Sequence, residues 1–211
     1  MSPMDDYLDK PLREVLVALQ SRYTTITKYF DVLTQRVPFD HWSYQEIITD
    51  TDPDVIIEVG VYCGGHALAL AHLCDIRGKG RVIAVEPITD RIHEKAKAHP
   101  RITIVGDYGP AAYPKVAAMV APDEKAFVIE DSSHEYGNTL EVLRNYSKLV
   151  KPGGYIVCED TICYHGLSLG PNPGPWDAVM AFVAENKNFA IDRDREFPIT
   201  WNPCGFLKRV S

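Results

Sequence analysis

The stretch VIIEVGVYCGG, residues 55–65, joins an apolar run of strand length to a glycine-rich turn. Four more strand-like runs follow, near residues 81–86, 101–105, 125–130 and 154–159. Helical patterns separate them, near residues 65–76, 90–98, 111–120 and 135–150. This alternation is typical of an α/β fold with a doubly wound sheet. A helix near 176–187 and strands near 189–192 and 204–209 would complete a mostly parallel, seven-stranded sheet.

A chain of 211 residues with 45% hydrophobic content can bury one substantial core. We therefore expect a single domain, residues 1–211, with a helical N-terminal segment at 1–50. Within that segment, apolar residues at helical spacing over 12–36 predict one or two helices, which Pro38 ends. The glycine- and proline-rich stretch at 161–175 is too long for a plain connection and is predicted to be an active-site loop.

The composition favours a small-molecule partner. A net charge of −7 without a basic run disfavours binding to nucleic acid or to an anionic membrane. The N-terminus has no signal-peptide pattern and no stretch of 18 apolar residues exists, so we expect a cytoplasmic protein. The five cysteines form no C-x-x-C pair, which argues against a disulfide framework or a zinc site.

The first three strands end in residues suited to an adenosine-type cofactor. Glycines follow the first strand and would let a ligand approach the backbone. Glu86 ends the second strand, where a ribose diol is usually bound, and Asp107 follows the third, where it would face an adenine amino group. A glycine turn alone could equally be a tight strand-to-helix connection. The glycine turn, Glu86 and Asp107 together, at the ends of three strands, favour a cofactor.

The spacing of the turn favours S-adenosylmethionine over a dinucleotide. It does not follow G-x-G-x-x-G, the pattern that seats a pyrophosphate on a helix N-terminus. S-adenosylmethionine has no pyrophosphate, and Glu58 would suit its ammonium group. The predicted cofactor-binding residues are Glu58, Gly60, Tyr62, Gly64, Gly65, His66, Glu86 and Asp107.

Two acidic clusters follow the fourth and fifth strands. Asp131 comes after the run at 126–129, and Glu159 and Asp160 come after the run at 155–158. Neighbouring strands lie about 4.8 Å apart, so these side chains could share one ion. Oxygen ligands alone select Mg²⁺, or else Mn²⁺ or Ca²⁺. His134 would overhang the same edge as a general base.

Simpler explanations exist for each cluster. Asp131 and Ser132 precede a helix and could cap it, and Glu159 with Asp160 could be a solvated strand end. A lone histidine is usually a core or surface filler. The convergence of all four at the expected catalytic edge favours a role in catalysis, with Asp131 and His134 as catalytic residues and Asp131, Glu159 and Asp160 as metal ligands.

Five motifs carry a resemblance to a known family. They are Pro38-x-Asp40-x-Trp42-x-Tyr44-Gln45-Glu46, Glu58-Val59-Gly60-Val61-Tyr62-x-Gly64-Gly65, Asp131-Ser132-Ser133-His134, Pro152-Gly153-Gly154-Tyr155 with Glu159-Asp160-Thr161, and Asn202-Pro203-x-Gly205-Phe206-Leu207-Lys208-Arg209. From about residue 37 to the end, the chain resembles the cephalosporin hydroxylase and rhamnosyl O-methyltransferase family. That family is similar to the metal-dependent macrolide sugar O-methyltransferases.

The resemblance implies a Rossmann-like class I methyltransferase fold, S-adenosylmethionine as donor, and Mg²⁺ at the positions of Asp131, Glu159 and Asp160. It also implies that His134 is the general base, as in the sugar-modifying relatives. His66 stands where the family usually has a small hydroxyl residue. No redox metal ligand set or flavin signature supports a hydroxylase.

We therefore expect Mg²⁺-dependent methyl transfer from S-adenosylmethionine to a hydroxyl of a sugar or glycosylated small molecule. A polyketide or other natural-product hydroxyl remains an alternative acceptor. An NAD-dependent oxidoreductase and a non-catalytic cofactor-binding protein are the alternatives from other classes. The aromatic residues Tyr164, Trp176 and Trp201 are candidates for a sugar-stacking wall, and we expect a homo-oligomer, such as a dimer.

Overall fold

The computed structural model describes residues 7–211, and at residues 23–25 it describes the backbone alone. Residues 1–6, which the predicted domain and N-terminal segment include, lie outside the described residues. The strands are β1 (Lys28–Tyr29), β2 (Val32–Leu33), β3 (Val55–Val59), β4 (Arg81–Val85), β5 (Ile102–Val105), β6 (Ala126–Glu130), β7 (Tyr155–Cys158), β8 (Phe189–Ile191) and β9 (Phe206–Arg209). The helices are α1 (Leu12–Ile26), α2 (Pro38–Thr51), α3 (Gly65–Arg77), α4 (Glu94–Lys97), α5 (Gly109–Ala118), α6 (Tyr136–Tyr146) and α7 (Pro175–Glu185).

Seven strands form one sheet in the order β5-β4-β3-β6-β7-β9-β8, which confirms the predicted sheet. The first five in this order are parallel, and β9 runs antiparallel to both β7 and β8. The chain moves outward from β3 to β5 and then returns to pair β6 with the other side of β3. This reversal creates a crevice at the carboxyl ends of β3 and β6, where open α/β sheets bind their ligands.

Helices cover both faces of the sheet. On one face, Val55, Ile57 and Val59 of β3 pack in a cluster with residues of α5, α6 and α7. On the other, Ile56 packs in a cluster with residues of α2 and α3. Because side chains alternate along a strand, Glu58 points toward the α2 and α3 face, where it is fully buried.

The N-terminal segment differs from the prediction. Helix α1 ends at Ile26, and the chain then forms a two-stranded hairpin of β1 and β2, so helix through residue 36 was wrong. Phe30 and Asp31 have φ angles of +44° and +69°, which an α-helix does not allow. Part of the apolar spacing that suggested a helix comes from the hairpin residues Tyr29, Phe30 and Leu33.

The helix predicted near 90–98 is also shorter. A 3₁₀ turn at Thr89–Arg91 comes first, and α4 covers only Glu94–Lys97. The His93 side chain accepts a hydrogen bond from the Lys95 backbone N–H and so fixes the start of α4. Among the residues that the structure describes, no helix is both long and apolar enough to cross a membrane.

Candidate active site

A cavity of about 500 Å³ opens at the carboxyl ends of the central strands. Its volume lies within the range of small-molecule sites, about 300–1,000 Å³. The predicted site residues that line it are Glu58, Gly60, Tyr62, His66, Glu86, Asp131, His134 and Asp160. Four others, Gly64, Gly65, Asp107 and Glu159, do not line this cavity.

Asp131, His134 and Asp160 converge at one end of the cavity. His134 Nε2 lies 3.0 Å from Asp131 Oδ1 and 3.3 Å from Asp160 Oδ2. Ligand atoms of the three side chains lie within 4.8 Å of one another, close enough to share a metal ion. The loops after β6 and β7 hold His134 and Asp160 in left-handed backbone conformations, with φ of +59° and +54°. Such conformations cost on the order of 1–2 kcal/mol per residue and concentrate at functional sites.

The carboxylates control the charge of His134. Burial disfavours the charged ring, but Asp160 and Asp131 outweigh burial and raise the pKa of His134 to about 9. Burial also opposes the charge of Asp131, whereas Arg36 and His134 favour it, so the net pKa of Asp131 is lowered. In the absence of another cation, protonated His134 therefore neutralises part of this acidic edge.

Arg36 is a site residue that the sequence did not indicate. It lies between β2 and α2 and is only 6% exposed. Its Nη2 lies 2.8 Å from Glu58 Oε1 and 2.9 Å from Asp131 Oδ2, and its Nη1 contacts Glu159 Oε2. The sequence contains 22 Lys and Arg residues, and no local pattern distinguished Arg36 from the others. The one available signal was indirect, since several carboxylates gathered at a sheet edge require a nearby counter-charge.

Glu159 faces a second, smaller space. Its Oε1 accepts a hydrogen bond from Tyr44 Oη at 2.8 Å, while Oε2 contacts Arg36. A cavity of about 40 Å³ beside the main one is lined by Glu159, Asp131 and Asp160, and also by Arg36. The three predicted metal ligands therefore surround a common space large enough for one water-sized occupant.

A buried hydrogen-bond chain fixes these acidic residues. Asn202 Nδ2 donates to Tyr44 Oη at 2.7 Å, and the Asp160 backbone N–H donates to Asn202 Oδ1 at 3.0 Å. Tyr44 belongs to α2 and Asn202 precedes β9, so the chain joins three distant parts of the sequence. The motifs around Tyr44 and Asn202 thus hold Glu159 and Asp160 in place after the end of β7.

Glu58 is buried and is among the residues that line the main cavity. Its Oε1 lies 2.6 Å from His66 Nδ1 and also accepts from Arg36. Its Oε2 is buried and has no hydrogen-bond partner among the described residues. Burial raises the pKa of Glu58 to about 8. A residue that lines a cavity and keeps a buried oxygen without a partner fits a ligand with a donor group, such as the ammonium of S-adenosylmethionine.

The glycines of the turn make room for protein backbone. A Cβ on Gly60, at φ +89°, would lie 2.1 Å from the carbonyl oxygen of Asp131. A Cβ on Gly65 would lie 2.6 Å from the carbonyl oxygen of Leu33 in the hairpin, and one on Gly64 would lie 2.9 Å from Ala96 Cβ. Gly60 therefore lets the loop after β6 approach β3, and Gly65 lets the hairpin approach α3.

The two acidic residues expected near adenosine differ in position. Glu86 lines the cavity, and its carboxylate accepts hydrogen bonds at 3.0 Å from the backbone N–H groups of Tyr62 and Ile88. Asp107 instead pairs with Lys115 at 3.0 Å and accepts from the Tyr108 backbone N–H. Tyr108 itself lines the cavity in the region beyond β5.

The predicted aromatic wall does not line the main cavity. Trp201 is buried and its indole N–H donates to Gln20. Trp176 stacks on His165 with ring centroids 3.9 Å apart. Residues of the 161–175 loop do line the cavity, but they are mostly apolar: Ile162, Cys163, Leu167, Leu169 and Gly170.

The fold and this cavity define a class I methyltransferase, the S-adenosylmethionine-dependent class. The family described as Rhamnosyl O-methyltransferase/CmcI matches residues 21–210, and the chain belongs to that family. A Rhamnosyl O-methyltransferase of Mycobacterium bovis (strain BCG / Pasteur 1173P2) is 29% identical over 195 residues, which cover 88% of this chain and 79% of the relative. A Rhamnosyl O-methyltransferase from Mycobacterium leprae (strain TN) is 27% identical over 179 residues, which cover 81% of this chain and 77% of the relative.

Solved structures share the fold. The Mg-SAM complex of CmcI matches with a TM-score of 0.70 at 18% identity, covering 97% of this chain and 86% of that one. CalS11, a calicheamicin methyltransferase, matches with a TM-score of 0.59 at 15% identity, and the match covers 99% of this chain and 97% of CalS11.

Proposed function

We propose that the protein transfers a methyl group from S-adenosylmethionine to a hydroxyl of a sugar or of a glycosylated small molecule. In this proposal Mg²⁺ is held by Asp131, Glu159 and Asp160, and His134 is the general base. The observation that carries the proposal is the convergence of Asp131, His134 and Asp160 within 4.8 Å at the edge of the cavity. The names of the rhamnosyl-modifying relatives support a saccharide acceptor.

The residues near β3 and β4 suit the methyl donor. Glu58 Oε2 offers a buried acceptor for an ammonium group, and Glu86 is held in place by two backbone N–H groups where a ribose diol would bind. Tyr62 and Tyr108 also line the cavity. We assign donor binding to this half of the cavity.

The acidic residues around the smaller cavity fit a hard divalent cation. All three offer carboxylate oxygens, and among the described residues the positively charged side chains in contact with them are Arg36 and His134. A bound Mg²⁺ supplies Lewis-acid polarisation of the acceptor hydroxyl and orients it.

His134 would receive the acceptor proton at Nε2, the ring nitrogen that faces Asp131 and Asp160. As the acceptor oxygen forms its bond to the methyl carbon, the carbon–sulfur bond breaks and S-adenosylhomocysteine leaves. A ring with a pKa of about 9 must first lose its proton. A nearby cation would favour that loss, because like charges disfavour the protonated ring.

The loop side of the cavity supports an acceptor with an apolar part. Ile162, Leu167 and Leu169 face the cavity from the 161–175 loop, and Ser132, Ser133 and Asn138 line it beside the acidic residues. Polar groups near the reacting oxygen and aliphatic groups farther away suit a sugar joined to an apolar aglycone. A free saccharide would leave the aliphatic residues without a partner.

Two measurements test the proposal. Methyl transfer from radiolabelled S-adenosylmethionine should be detected on at least one member of a panel of rhamnosides and other glycosides. In parallel, S-adenosylhomocysteine should raise the melting temperature, whereas NAD should not. Stabilisation by NAD alone would contradict the donor assignment, and transfer only to aglycone hydroxyls would contradict the sugar assignment.

A further inference from the structure

Arg36 joins the carboxyl ends of three strands. Its guanidinium contacts Glu58 in β3, Asp131 after β6 and Glu159 after β7. Side chains of Arg36 and Glu159 are each 7% exposed, and that of Glu58 is fully buried. Carboxylates gathered with so little water repel one another strongly. A cation among them therefore stabilises this arrangement at the edge of the sheet.

The position of Arg36 overlaps the position proposed for Mg²⁺. Arg36 lines the cavity of about 40 Å³ together with Asp131, Glu159 and Asp160. Tyr44 already donates to Glu159 Oε1, so a divalent cation that reaches Glu159 through its other oxygen must take Oε2 from Arg36. The Asp131 oxygen that contacts Arg36 is Oδ2, while Oδ1 faces His134.

We propose that Arg36 is an internal counter-cation, which holds the acidic strand ends together before a divalent cation binds and competes with that cation for Asp131 and Glu159. The inference rests on the proposed metal site. It makes Arg36 a positioning residue, because it acts through the carboxylates and not on the methyl donor or acceptor.

The N-terminal hairpin delivers Arg36 to this position. Gly65 allows the backbone of Leu33 to approach the start of α3 at a distance that a Cβ would prevent. Arg36 follows the hairpin by three residues, and Pro38 then begins α2. The segment at 34–37 is thus fixed at both ends, and the guanidinium can exchange with a cation by side-chain movement.

Direct measurement of cation affinity tests this role. We would titrate Mg²⁺ by calorimetry and Mn²⁺ by electron paramagnetic resonance into the wild-type protein, Arg36→Met and Arg36→Lys. Arg36→Met should bind either cation about tenfold or more tightly, because a positive charge beside the site is gone. Arg36→Lys keeps that charge and should stay within about threefold of the wild type. Arg195→Met is the matched control, since Arg195 pairs with Asp50 and Glu46 away from the site.

Melting temperature gives a second readout. Without a divalent cation Arg36→Met should melt below the wild type, and saturating Mg²⁺ should raise its melting temperature more than it raises that of the wild type. If Arg36 had a purely structural role, Arg36→Met would melt below the wild type by the same amount with and without Mg²⁺. If Arg36→Met does not fold, Arg36→Met with Glu58→Gln removes one charge of each sign and should bind Mg²⁺ more tightly than Glu58→Gln alone.

The outcomes separate the two proposals. Equal or weaker cation binding by the Arg36→Met proteins, with normal binding by the wild type, would overturn the competition. No divalent-cation binding by any of the proteins would overturn the metal site itself, and the inference with it.

Discussion

At the residue scale, His134 combines a left-handed backbone conformation with the proposed role of general base. Its φ of +59° places it where Asn is far better tolerated than Ala. We therefore expect His134→Asn to keep the loop conformation and to lower kcat by about 10²–10⁴-fold, the usual contribution of a general base. The measurement is steady-state methyl transfer, with S-adenosylhomocysteine affinity as the control for folding. Near-normal turnover would rule out His134 as the base.

Gly60 shows how one missing Cβ allows the site to form. Its φ is +89°, and a Cβ would lie 2.1 Å from the carbonyl oxygen of Asp131. Gly153 has a similar φ of +86° but open space around it. We expect Gly153→Ala to cost about 1–2 kcal/mol from backbone strain alone. Gly60→Ala should lower stability by about 1–3 kcal/mol more than Gly153→Ala, because the backbone at Gly60 and the backbone at Asp131 must move apart.

Urea unfolding of the two alanine variants measures this difference. Equal losses of stability would mean that the loop after β6 yields freely, and would contradict the role of Gly60 in holding Asp131 close to β3.

At the scale of elements, contact between the hairpin and α3 sets the position of Arg36. Gly65→Ala adds a methyl against the carbonyl oxygens of Leu33 and Val32 without requiring a left-handed φ. We expect it to displace the hairpin and to tighten Mg²⁺ binding in the same direction as Arg36→Met. Gly137→Ala in α6 is the control, because a Cβ there meets nothing within 4 Å. It should be neutral or stabilise by up to about 1 kcal/mol.

The ion pair between Arg81 and Glu124 ties the start of β4 to the segment before β6 and has a defined pH dependence. Hydrogen bonding to Arg81 lowers the pKa of Glu124 to about 2. A lowered carboxyl pKa gives stability that is present above the unfolded value, near 4.3, and is lost as pH falls toward 2. Glu124→Gln should therefore lower the melting temperature at pH 7 and less so at pH 3.

The pair is partly exposed, so we expect an effect of no more than about 1 kcal/mol at pH 7. Glu94→Gln, at an 85% exposed side chain, is the control and should change little at either pH. A melting difference between Glu124→Gln and wild type that stayed constant from pH 7 to 3 would contradict this account.

At the scale of the whole molecule, the sheet could be predicted because its signals are local. The apolar runs that became β3, β4, β6 and β7 are nearly continuous, as expected for strands buried on both faces. Their parallel order then brought Asp131, His134 and Asp160 to one edge without any further information. The strand order thus brings residues that are separate in the sequence together in one site.

The parts that could not be predicted depend on contacts between distant residues. The hairpin at 28–33 has apolar spacing that also fits a helix, and its docking on Gly65 decides the outcome. Arg36 reaches the site only through that docking. Likewise, Trp201 donates to Gln20, which is 181 residues away along the chain, and no local pattern records that contact.

We propose that methyl transfer by this protein depends on a divalent cation held at the ends of β6 and β7. This dependence is measured as the rate of methyl transfer to the preferred glycoside by protein stripped of divalent cations, before and after Mg²⁺ is restored. We predict a rate at least about 100-fold lower without the cation, because an unpositioned hydroxyl loses much of the benefit of alignment, with recovery on addition of Mg²⁺. Recovery should fail in Asp131→Asn. A rate that chelation leaves unchanged would contradict the account.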